Sequence, residues 1–408
     1  TIQSTLESPI ATRLESIIDE TEGADPVAAR EQDYNENPAI STLLLFVDEL
    51  RRARDFQRLA EYGEKLFSEL NDVSSAETYV SALFEIKADG EIVEFSKINP
   101  DIANASDVIR TSLVWAHYRL GNFREAKALL ESFPTSRNDP NDRELGMMIA
   151  IASGDWSALG TFVESEWSNR EDRQPEELLR AGVLAQRIGV AARSQELVRE
   201  AARRANDDPS ILVKAYDIAS SSGWEDDEDI HVWLRTAIEK SGEDGPIQRF
   251  DLKDIMNEQP RWDQQMDNLW NLVLRGEVPI FGAAQASRRS LLDLTLRPAL
   301  ANRNETDPRK RSLIFSFSGG RSAFAVPGKS IGLDITAIIS LAFMGHIGRV
   351  LDWCECVHIA HTTLSWLFEE RSKLAFHQPT QVQKAQEGKK LLDAGKLHRF
   401  EGGAGSPT

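Results

Sequence analysis

The feature that most constrains this 408-residue chain is a set of glycines that recur at nearly equal intervals. They are separated by 33, 35 and 34 residues, and each stands between one helical pattern and the next: Gly121, Gly154, Gly189 and Gly223. A period of about 34 residues is typical of units that each form a helical hairpin. Because one hairpin cannot bury its apolar face alone, successive hairpins must stack. The spacing therefore predicts an α-solenoid, a fold that commonly serves as a binding scaffold.

The clearest unit runs over residues 113–134. Ala116 in its first helix and Ala126 in its second are small, and antiparallel helices can approach closely where side chains are small. Gly121 permits the turn because it can adopt a positive φ. Phe123 is expected to pack across the two helices. This pattern closely resembles the tetratricopeptide repeat.

Degenerate copies of this unit extend over residues 39–275, and we count about six or seven of them. Nearer the N-terminus, Gly90 with Ile92 and Asp55 with Phe56 hold equivalent turn positions. Four tryptophans are expected to fill the solenoid core: Trp115, Trp156, Trp224 and Trp233. The stack should also present a concave groove, which is expected to bind a protein or peptide partner.

Charge is distributed unevenly along the chain, whose net charge is −18. Residues 1–275 carry 30 Lys/Arg and 53 Asp/Glu, whereas residues 276–408 carry 17 and 12. The first part should repel free nucleic acid, and the second should tolerate or attract it.

The cellular compartment is indicated by two further features. The two cysteines, Cys354 and Cys356, are too close for an ordinary structural disulfide, so a reducing cytoplasm is expected. The longest apolar run near the C-terminus, residues 335–344, is too short to span a bilayer, and no membrane association is expected.

Beyond residue 275 the glycine period is lost. We therefore expect a polar segment at 1–38, the solenoid at 39–275, a linker at 276–311 and a smaller α/β domain at 312–408. Within the last two, strands are expected at 312–318, 322–326, 330–334 and 356–360, and helices at 291–300, 336–344, 350–354, 362–376 and 385–394. Strands that alternate with helices predict a parallel sheet.

Candidate chemistry lies in this C-terminal region. Asp334 comes directly after a predicted strand, and open α/β sheets bind ligands at the carboxyl ends of their strands. The helix after the next strand bears Glu369 and Glu370, which converge with Asp334 if the two strands are neighbours. Clustered carboxylates favour a divalent cation such as Mg²⁺ or Mn²⁺. The alternatives are that Asp334 caps a helix and that the two glutamates lie on a solvated helix face.

The segment 331–341, followed by Gly345, a short strand and the helix that carries Glu369 and Glu370, resembles the first half of a PIN-type nuclease domain. The resemblance covers about residues 312–400. Together with the upstream repeats, it resembles PIN-like domains attached to repeat proteins in bacterial conflict systems.

The resemblance implies metal-dependent RNA cleavage. Asp334 would be the first metal-ligating acid, Thr336 a neighbouring site hydroxyl, and Glu369 or Glu370 the second acid, with Asp334 and Glu370 as the metal ligands. Further acids of the family would then lie beyond Thr408.

Three further features or interpretations must be set beside the nuclease hypothesis. Residues 323–330 fit a relaxed phosphate-loop pattern, but they lead into a strand rather than a helix, so a hairpin is favoured and no nucleotide cofactor is expected. The basic run Arg309, Lys310 and Arg311 could contact an RNA backbone or form a solvated boundary. Finally, the whole chain could be a non-catalytic scaffold whose C-terminal module only binds.

Overall fold

The structure, a computed structural model, describes residues 25–134, 139–243, 245–248, 251–303, 305–312, 314, 330–372 and 379–397. The chain forms two compact units, residues 1–149 and 150–408. Of the predicted features, the strand at 322–326, most of the strand at 312–318, and all but the last residue of the phosphate-loop pattern at 323–330 lie outside the described residues.

The first unit is built from helices that contact their neighbours along the chain. They are α1 (Pro26–Glu36), α2 (Ile40–Arg52), α3 (Phe56–Leu70), α4 (Val73–Glu85), α5 (Asp89–Ile98), α6 (Pro100–Ala105), α7 (Asp107–Arg119) and α8 (Phe123–Glu131), followed by α9 (Pro140–Ser153), which contains the point of division. Fully buried Phe46, Leu50, Val80 and Ile92 belong to one continuous core. Helices α4 and α7, the first helices of successive hairpins, lie against each other. The hairpins therefore stack as the period predicts.

The predicted close approach within the clearest unit is confirmed by burial. Ala116 and Ala126 are both fully buried, and the ring of Phe123 lies 5.9 Å from that of Tyr118 across the turn. Small side chains therefore set how closely α7 and α8 pack.

The second unit continues the series of hairpins. Its helices up to residue 274 are α10 (Trp156–Ser168), α11 (Pro175–Arg187), α12 (Ala191–Arg203), α13 (Pro209–Ser222), α14 (Glu228–Lys240) and α15 (Leu252–Leu274). Helix α11 contacts α13, and α10 contacts α12, so helices of successive hairpins stack in two layers. At Gly182 the helices α11 and α12 meet so closely that an added Cβ would lie 2.7 Å from Val198 Cγ2. In the place of a seventh hairpin stands the single 23-residue helix α15.

The turns of the hairpins share one backbone feature, a residue with positive φ. Gly121, Gly154, Gly189 and Gly223 have φ between 71° and 87°, as the glycine period predicts. The same conformation occurs at Arg54 (φ 56°) and Lys87 (φ 59°), which continue the period of 33 to 35 residues towards the N-terminus. The assignment of Gly90 to the equivalent position was therefore wrong, and Lys87 occupies it; the assignment of Asp55 and Phe56 is confirmed, since Asp55 caps α3.

The prediction that four tryptophans fill the core holds in part. Trp224 is buried, with its ring 6.3 Å from that of Trp233, and Trp115 packs against the core of α7 and α8. Trp156 is different, since 54% of its surface is exposed. It stands at the first position of α10, and its ring stacks on that of Phe368, in a helix near the C-terminus.

The C-terminal part of the second unit contains a small parallel sheet. Strands β1 (Ser330–Leu333) and β2 (Cys356–Ile359) pair in parallel, with Ser330 opposite Cys356 and Leu333 opposite Ile359. Between and after them lie α18 (Ile335–Phe343), α19 (Ile347–Trp353), α20 (Thr363–Ser372) and α21 (Pro379–Asp393). The parallel pairing and the order of elements agree with the prediction. Two short strands do not by themselves make a PIN-like domain, so that identity stays a prediction.

The segment predicted as a linker, 276–311, contains two helices, α16 (Ile280–Ala286) and α17 (Leu291–Arg303). Ile280, Leu291 and Leu294 form a core with Ile339 of α18, and Trp366 of α20 packs against it. Helices that precede, separate and follow the two strands in the sequence therefore share one apolar cluster. The predicted domain boundaries at 275 and 311 stay predictions.

Among the described residues, no single helix is long and apolar enough to cross a bilayer. The pair α18 and α19 meets the criteria of length and composition when taken together, but the two helices are bent by 114° at their junction.

Candidate functional site

The carboxyl edge of the two-stranded sheet carries the first predicted site residue. Asp334 follows β1 directly, is exposed, and its Oδ1 accepts a hydrogen bond from the amide of Ala337 at 2.7 Å. This contact satisfies one of the free amides in the first turn of α18. Thr336, two residues further along the chain, is buried, with 5% of its surface exposed. The edge therefore presents the carboxylate of Asp334, which caps α18, while Thr336 faces the interior.

Glu370 has a specific structural environment. Its side chain is 2% exposed, and its Oε2 accepts hydrogen bonds from the Ser290 hydroxyl at 2.6 Å and from the Leu291 amide at 2.8 Å. These groups lie at the start of α17, where amides have no partner within the helix and the helix dipole favours a negative charge. Glu370, which lies 79 residues after Leu291 in the sequence, thus caps α17. The assignment of Glu370 as a metal ligand stays a prediction. The two capping contacts satisfy an oxygen of its buried carboxylate without a metal ion.

Glu369 lies on the exposed side of the same helix. Its Oε1 accepts a hydrogen bond from Arg187 Nη1 at 2.8 Å, and the guanidinium of Arg187 also lies over the ring of Phe368, 5.3 Å from its centroid. Arg187 is the last residue of α11. The predicted second acid therefore forms an ion pair with the repeat region.

The described residues do not supply a complete set of metal ligands. No three His, Cys, Asp or Glu side chains among them form a group that could hold a metal ion. Mg²⁺ and Mn²⁺ need several oxygen ligands. The predicted Mg²⁺ or Mn²⁺ site therefore stays a prediction.

The basic run is exposed, but its three cations differ. Arg309 donates to both carboxylate oxygens of Asp307, at 3.1 Å and 2.9 Å, and this contact lowers the pKa of Asp307. Arg311 donates to the backbone carbonyl of Glu305, and Lys310 is exposed. Among the described residues, no carboxylate pairs with Lys310 or Arg311, whereas the charge of Arg309 is balanced by Asp307.

A group of contacts that sequence reasoning missed joins α20 and α21 to three successive hairpin turns. On the hairpin side these contacts involve a set of residues that we call the turn row: Gly154, Trp156, Arg187, Gly223, Glu225 and Asp226.

The first part of the turn row receives α20. The ring of Trp156 stacks on that of Phe368, with 5.8 Å between the ring centroids. Leu364 packs against Gly154, since a Cβ added to that glycine would lie 3.5 Å from Leu364 Cδ1. Leu364 and Phe368 are four residues apart, so they share one face of the helix. This spacing was visible in the sequence, but nothing there indicated which surface the pair would contact.

The second part of the turn row receives the start of α21. A Cβ added to Gly223 would lie 2.6 Å from Pro379 Cβ, so the absence of a side chain leaves room for the proline. The Thr380 hydroxyl donates to Glu225, and Lys384 forms an ion pair with Asp226 at 2.8 Å. The two C-terminal helices thus contact three successive hairpin turns, those near Gly154, Arg187 and Gly223.

Fold and candidate site together define a helical-repeat protein that carries a small α/β segment. A family model described as HTH_upstream_double_PIN matches residues 252–321, which correspond to α15, α16 and α17 and the residues after them. The match covers a minor part of the chain.

Among solved structures, this chain is similar to a crystal structure of a tetratricopeptide repeat protein from Parabacteroides merdae. The two are 12% identical, the match covers 56% of this chain and 97% of the other, and the TM-score is 0.38. No curated protein matches this sequence.

Proposed function

We propose that this chain is an interaction scaffold whose stacked helical hairpins bind a protein or peptide partner. The observation that carries the proposal is the side-by-side packing of the first helices of successive hairpins, α4 with α7 and α11 with α13. Helices stacked in this way form a continuous surface that is larger than any one hairpin could offer. The acidic balance of residues 1–275 favours a basic partner.

A selection of displayed peptides on the full-length chain tests this proposal. Selected peptides should be rich in Lys and Arg, and their affinity should fall as salt rises. Hydrogen exchange should slow in α4, α7, α11 or α13 when the peptide binds. Protection confined to the second helices of the hairpins, or a failure to select any peptide, would contradict binding in the groove.

A second candidate function is metal-dependent cleavage of RNA. It is supported by the exposed carboxylate of Asp334 at the carboxyl edge of a parallel strand pair, where α/β sheets bind their ligands. It is also supported by the match to residues 252–321, upstream of Asp334, because the matched family is described by its association with PIN domains. The Mg²⁺ or Mn²⁺ ion and the bacterial conflict setting belong to this candidate as proposals.

The test must separate catalysis by Asp334 from helix capping. Asn caps a helix about as well as Asp, so Asp334→Asn should leave the melting temperature unchanged while it removes the carboxylate. If the candidate is correct, RNA cleavage by the full-length chain in Mn²⁺ falls at least about 100-fold in this variant. Asp352→Asn, at an exposed acid of α19, is the matched control and should cleave normally.

Two results would reject the nuclease candidate. One is the absence of cleavage by the unmodified chain at any Mn²⁺ or Mg²⁺ concentration, and the other is equal cleavage by the unmodified chain and Asp334→Asn. Neither result bears on peptide binding by the hairpins, so the two candidate functions fail independently.

A further inference from the structure

Most of helix α15 is exposed to solvent. Each residue from Leu252 to Gln265 whose side chain is described is exposed, partial burial begins at Met266, and Val273 is fully buried. At 1.5 Å per residue, the exposed part is about 21 Å long. It carries four large apolar side chains with between 50% and 69% of their surface accessible: Leu252, Ile255, Met256 and Trp262. An apolar patch of this kind on a protein surface marks an interaction site.

The apolar residues of α15 share one face of the helix, because they recur at intervals of three, four and seven. We call this face the α15 stripe, and it consists of Leu252, Ile255, Met256, Gln259, Trp262 and Met266. Beyond the stripe, the same face continues to Trp270 and Val273, and Trp270 packs against the apolar cluster that includes Ile339. One face of a single helix is therefore covered by the chain's own core at one end and uncovered at the other.

The charged residues beside the stripe have no ionic partner either. Lys253 and Asp267 lie on one flank of it. Glu258 and Arg261 lie on the other flank, and Asp263 lies at the edge nearer Asp267. All five are exposed, and none of them forms an ion pair with another described residue. The stripe is thus bordered by charges of both signs that can pair with another molecule.

A second copy of α15 that runs in the opposite direction fits the stripe. When a two-fold axis passes beside Gln259, residues at equal distances on the two sides of Gln259 meet across the contact. Leu252 then meets Met266 of the second copy, and Met256 meets Trp262 of the second copy. The two Gln259 side chains meet on the axis, where each amide can donate to the other. A polar pair at the centre of an apolar contact favours one register over its neighbours.

Charge complementarity favours this antiparallel direction. Lys253 of one copy lies between Asp263 and Asp267 of the other, each two residues from the position directly opposite. Arg261 of one copy lies beside Glu258 of the other. In a parallel pair each charged residue would face its own counterpart, so that Lys253 would meet Lys253 and acids would meet acids. Opposite charges therefore support the antiparallel pair, and like charges oppose the parallel one.

We propose that the α15 stripe is the interface of a homodimer, in which two copies of this chain pair their α15 helices antiparallel about Gln259. The partner is a second copy because the stripe and its flanks are complementary to themselves. A two-fold contact closes on itself, so assembly ends at the dimer. Each dimer presents two sets of helical hairpins, and a ligand with two binding segments gains avidity from them without any new contact.

Analytical ultracentrifugation of the full-length chain tests the dimer. Two helices of this length form a small interface, so we expect a dissociation constant of about 10 µM, with dimers at about 100 µM and monomers at about 1 µM. Trp262→Glu places a carboxylate in the stripe and should weaken the dimer at least about 100-fold. Gln264→Glu is the matched control, because it adds the same charge on the opposite face of α15 and should leave the dimer intact. Both positions are exposed, so the two variants should melt within a few degrees of each other.

A charge exchange tests the antiparallel pairing. Lys253→Glu should weaken self-association at least about 10-fold, and so should the double variant Asp263→Lys with Asp267→Lys. A mixture of these two chains should form a heterodimer about as tight as the unmodified dimer, because each substituted position then faces the opposite charge.

Disulfide trapping locates the axis. It uses a chain with Cys356→Ser, which removes the exposed native cysteine. In this chain Gln259→Cys should form a disulfide-linked dimer on mild oxidation, because the two side chains meet on the axis. Leu252→Cys is the matched control on the same face. Its two copies lie about 21 Å apart along the antiparallel helices, so it should not cross-link.

Several results would overturn the proposal. A chain that stays monomeric at about 100 µM has no such interface. A dimer that Trp262→Glu leaves unchanged must form elsewhere on the chain. Cross-linking of Leu252→Cys as readily as Gln259→Cys would show a parallel pair. Finally, slow hydrogen exchange of residues 252–265 in a monomer would show that the stripe is covered within one copy.

Discussion

The carboxylate of Glu370 accepts the backbone N–H of Leu291 at 2.8 Å, so a residue of α20 caps the start of α17. The Ser290 hydroxyl donates to the same oxygen, and Leu291 is part of the apolar core below it. An acid at this place is favoured by the helix dipole and by two buried donors. The arrangement gives Glu370 a structural role at the start of α17.

Removal of this cap should destabilise α17. We expect Glu370→Ala to lower the free energy of unfolding by about 2–3 kcal/mol, because two buried donors lose their partner. Urea denaturation and hydrogen exchange at the first turn of α17 measure the change. The adjacent variant Glu369→Ala is the matched control, since an exposed ion pair contributes about 1 kcal/mol or less. Equal effects of the two variants would contradict the capping role.

The residues with positive φ in the hairpin turns give a second prediction. Arg54 and Lys87 are exposed and adopt a conformation that costs a residue with a Cβ roughly 1 kcal/mol. Arg54→Gly and Lys87→Gly should each stabilise the chain by about 0.5–1 kcal/mol. Gly189→Ala should destabilise it by a similar amount, although an added Cβ there meets no atom within 4 Å.

Thermal or urea denaturation of each variant checks this expectation. Glu64→Gly, at an exposed position inside α3, controls for the general cost of glycine and should destabilise by about 1 kcal/mol. If Arg54→Gly and Lys87→Gly lower the stability as Glu64→Gly does, the series of left-handed turns does not extend to Arg54 and Lys87.

Asp72 provides a prediction about pH. It caps α4 by accepting hydrogen bonds from the Ser75 amide and hydroxyl, and these contacts lower the pKa of its carboxyl group. A lowered pKa in the folded state means that the charged form stabilises the fold at neutral pH. This contribution is lost as pH falls below about 4, through the unfolded and then the folded pKa.

The variant Asp72→Asn isolates this effect because Asn caps comparably without titrating. At pH 7 the two chains should have similar midpoints in urea. As the pH falls from about 5 to about 2, the unmodified chain should lose more stability than the variant. Parallel stability curves over this range would show that the cap of α4 does not contribute to the acid sensitivity of the chain.

The basic run yields a prediction that depends on RNA binding. Lys310→Gln and Arg311→Gln should each weaken RNA binding and reduce the slope of log affinity against log salt by about 0.7 if each side chain contacts one phosphate of a single strand. Arg309→Gln is the control and should have a smaller effect, because Asp307 already balances its charge. Binding measured between about 50 and 200 mM salt checks this. Equal slopes for all three variants and the unmodified chain would exclude phosphate contacts at this run.

Part of the fold could be predicted because the relevant signals are local. Gly154 and Gly189 mark turns through their own backbone conformation. The end of β1 and the start of α18 were predicted to within one residue, because the spacing of apolar residues changes there from that of a strand to that of a helix. Lys87 was missed because a lysine carries no composition signal for a positive φ. Gly90, three residues later, attracted the assignment and instead lies inside α5.

The site was less predictable because its contacts join distant segments. The capping role weighed for Asp334 involves an amide three residues away and agrees with the observed bond to Ala337. The roles of Glu370 and Trp156 could not be inferred in this way. Their partners, Leu291 and Phe368, lie 79 and 212 positions away in the sequence, and no periodic pattern connects them.

The sequence by itself determined the helical hairpins, their period and the parallel order of β1 and β2. Backbone conformation and apolar spacing act over a few residues, so these features are encoded where they occur. Only the tertiary structure decided that Glu370 caps a helix, that Trp156 faces α20 rather than a hairpin core, and that Gly223 makes room for Pro379. These outcomes depend on which surfaces meet when the chain folds, and a side chain of one segment carries no information about the surface that another will present to it.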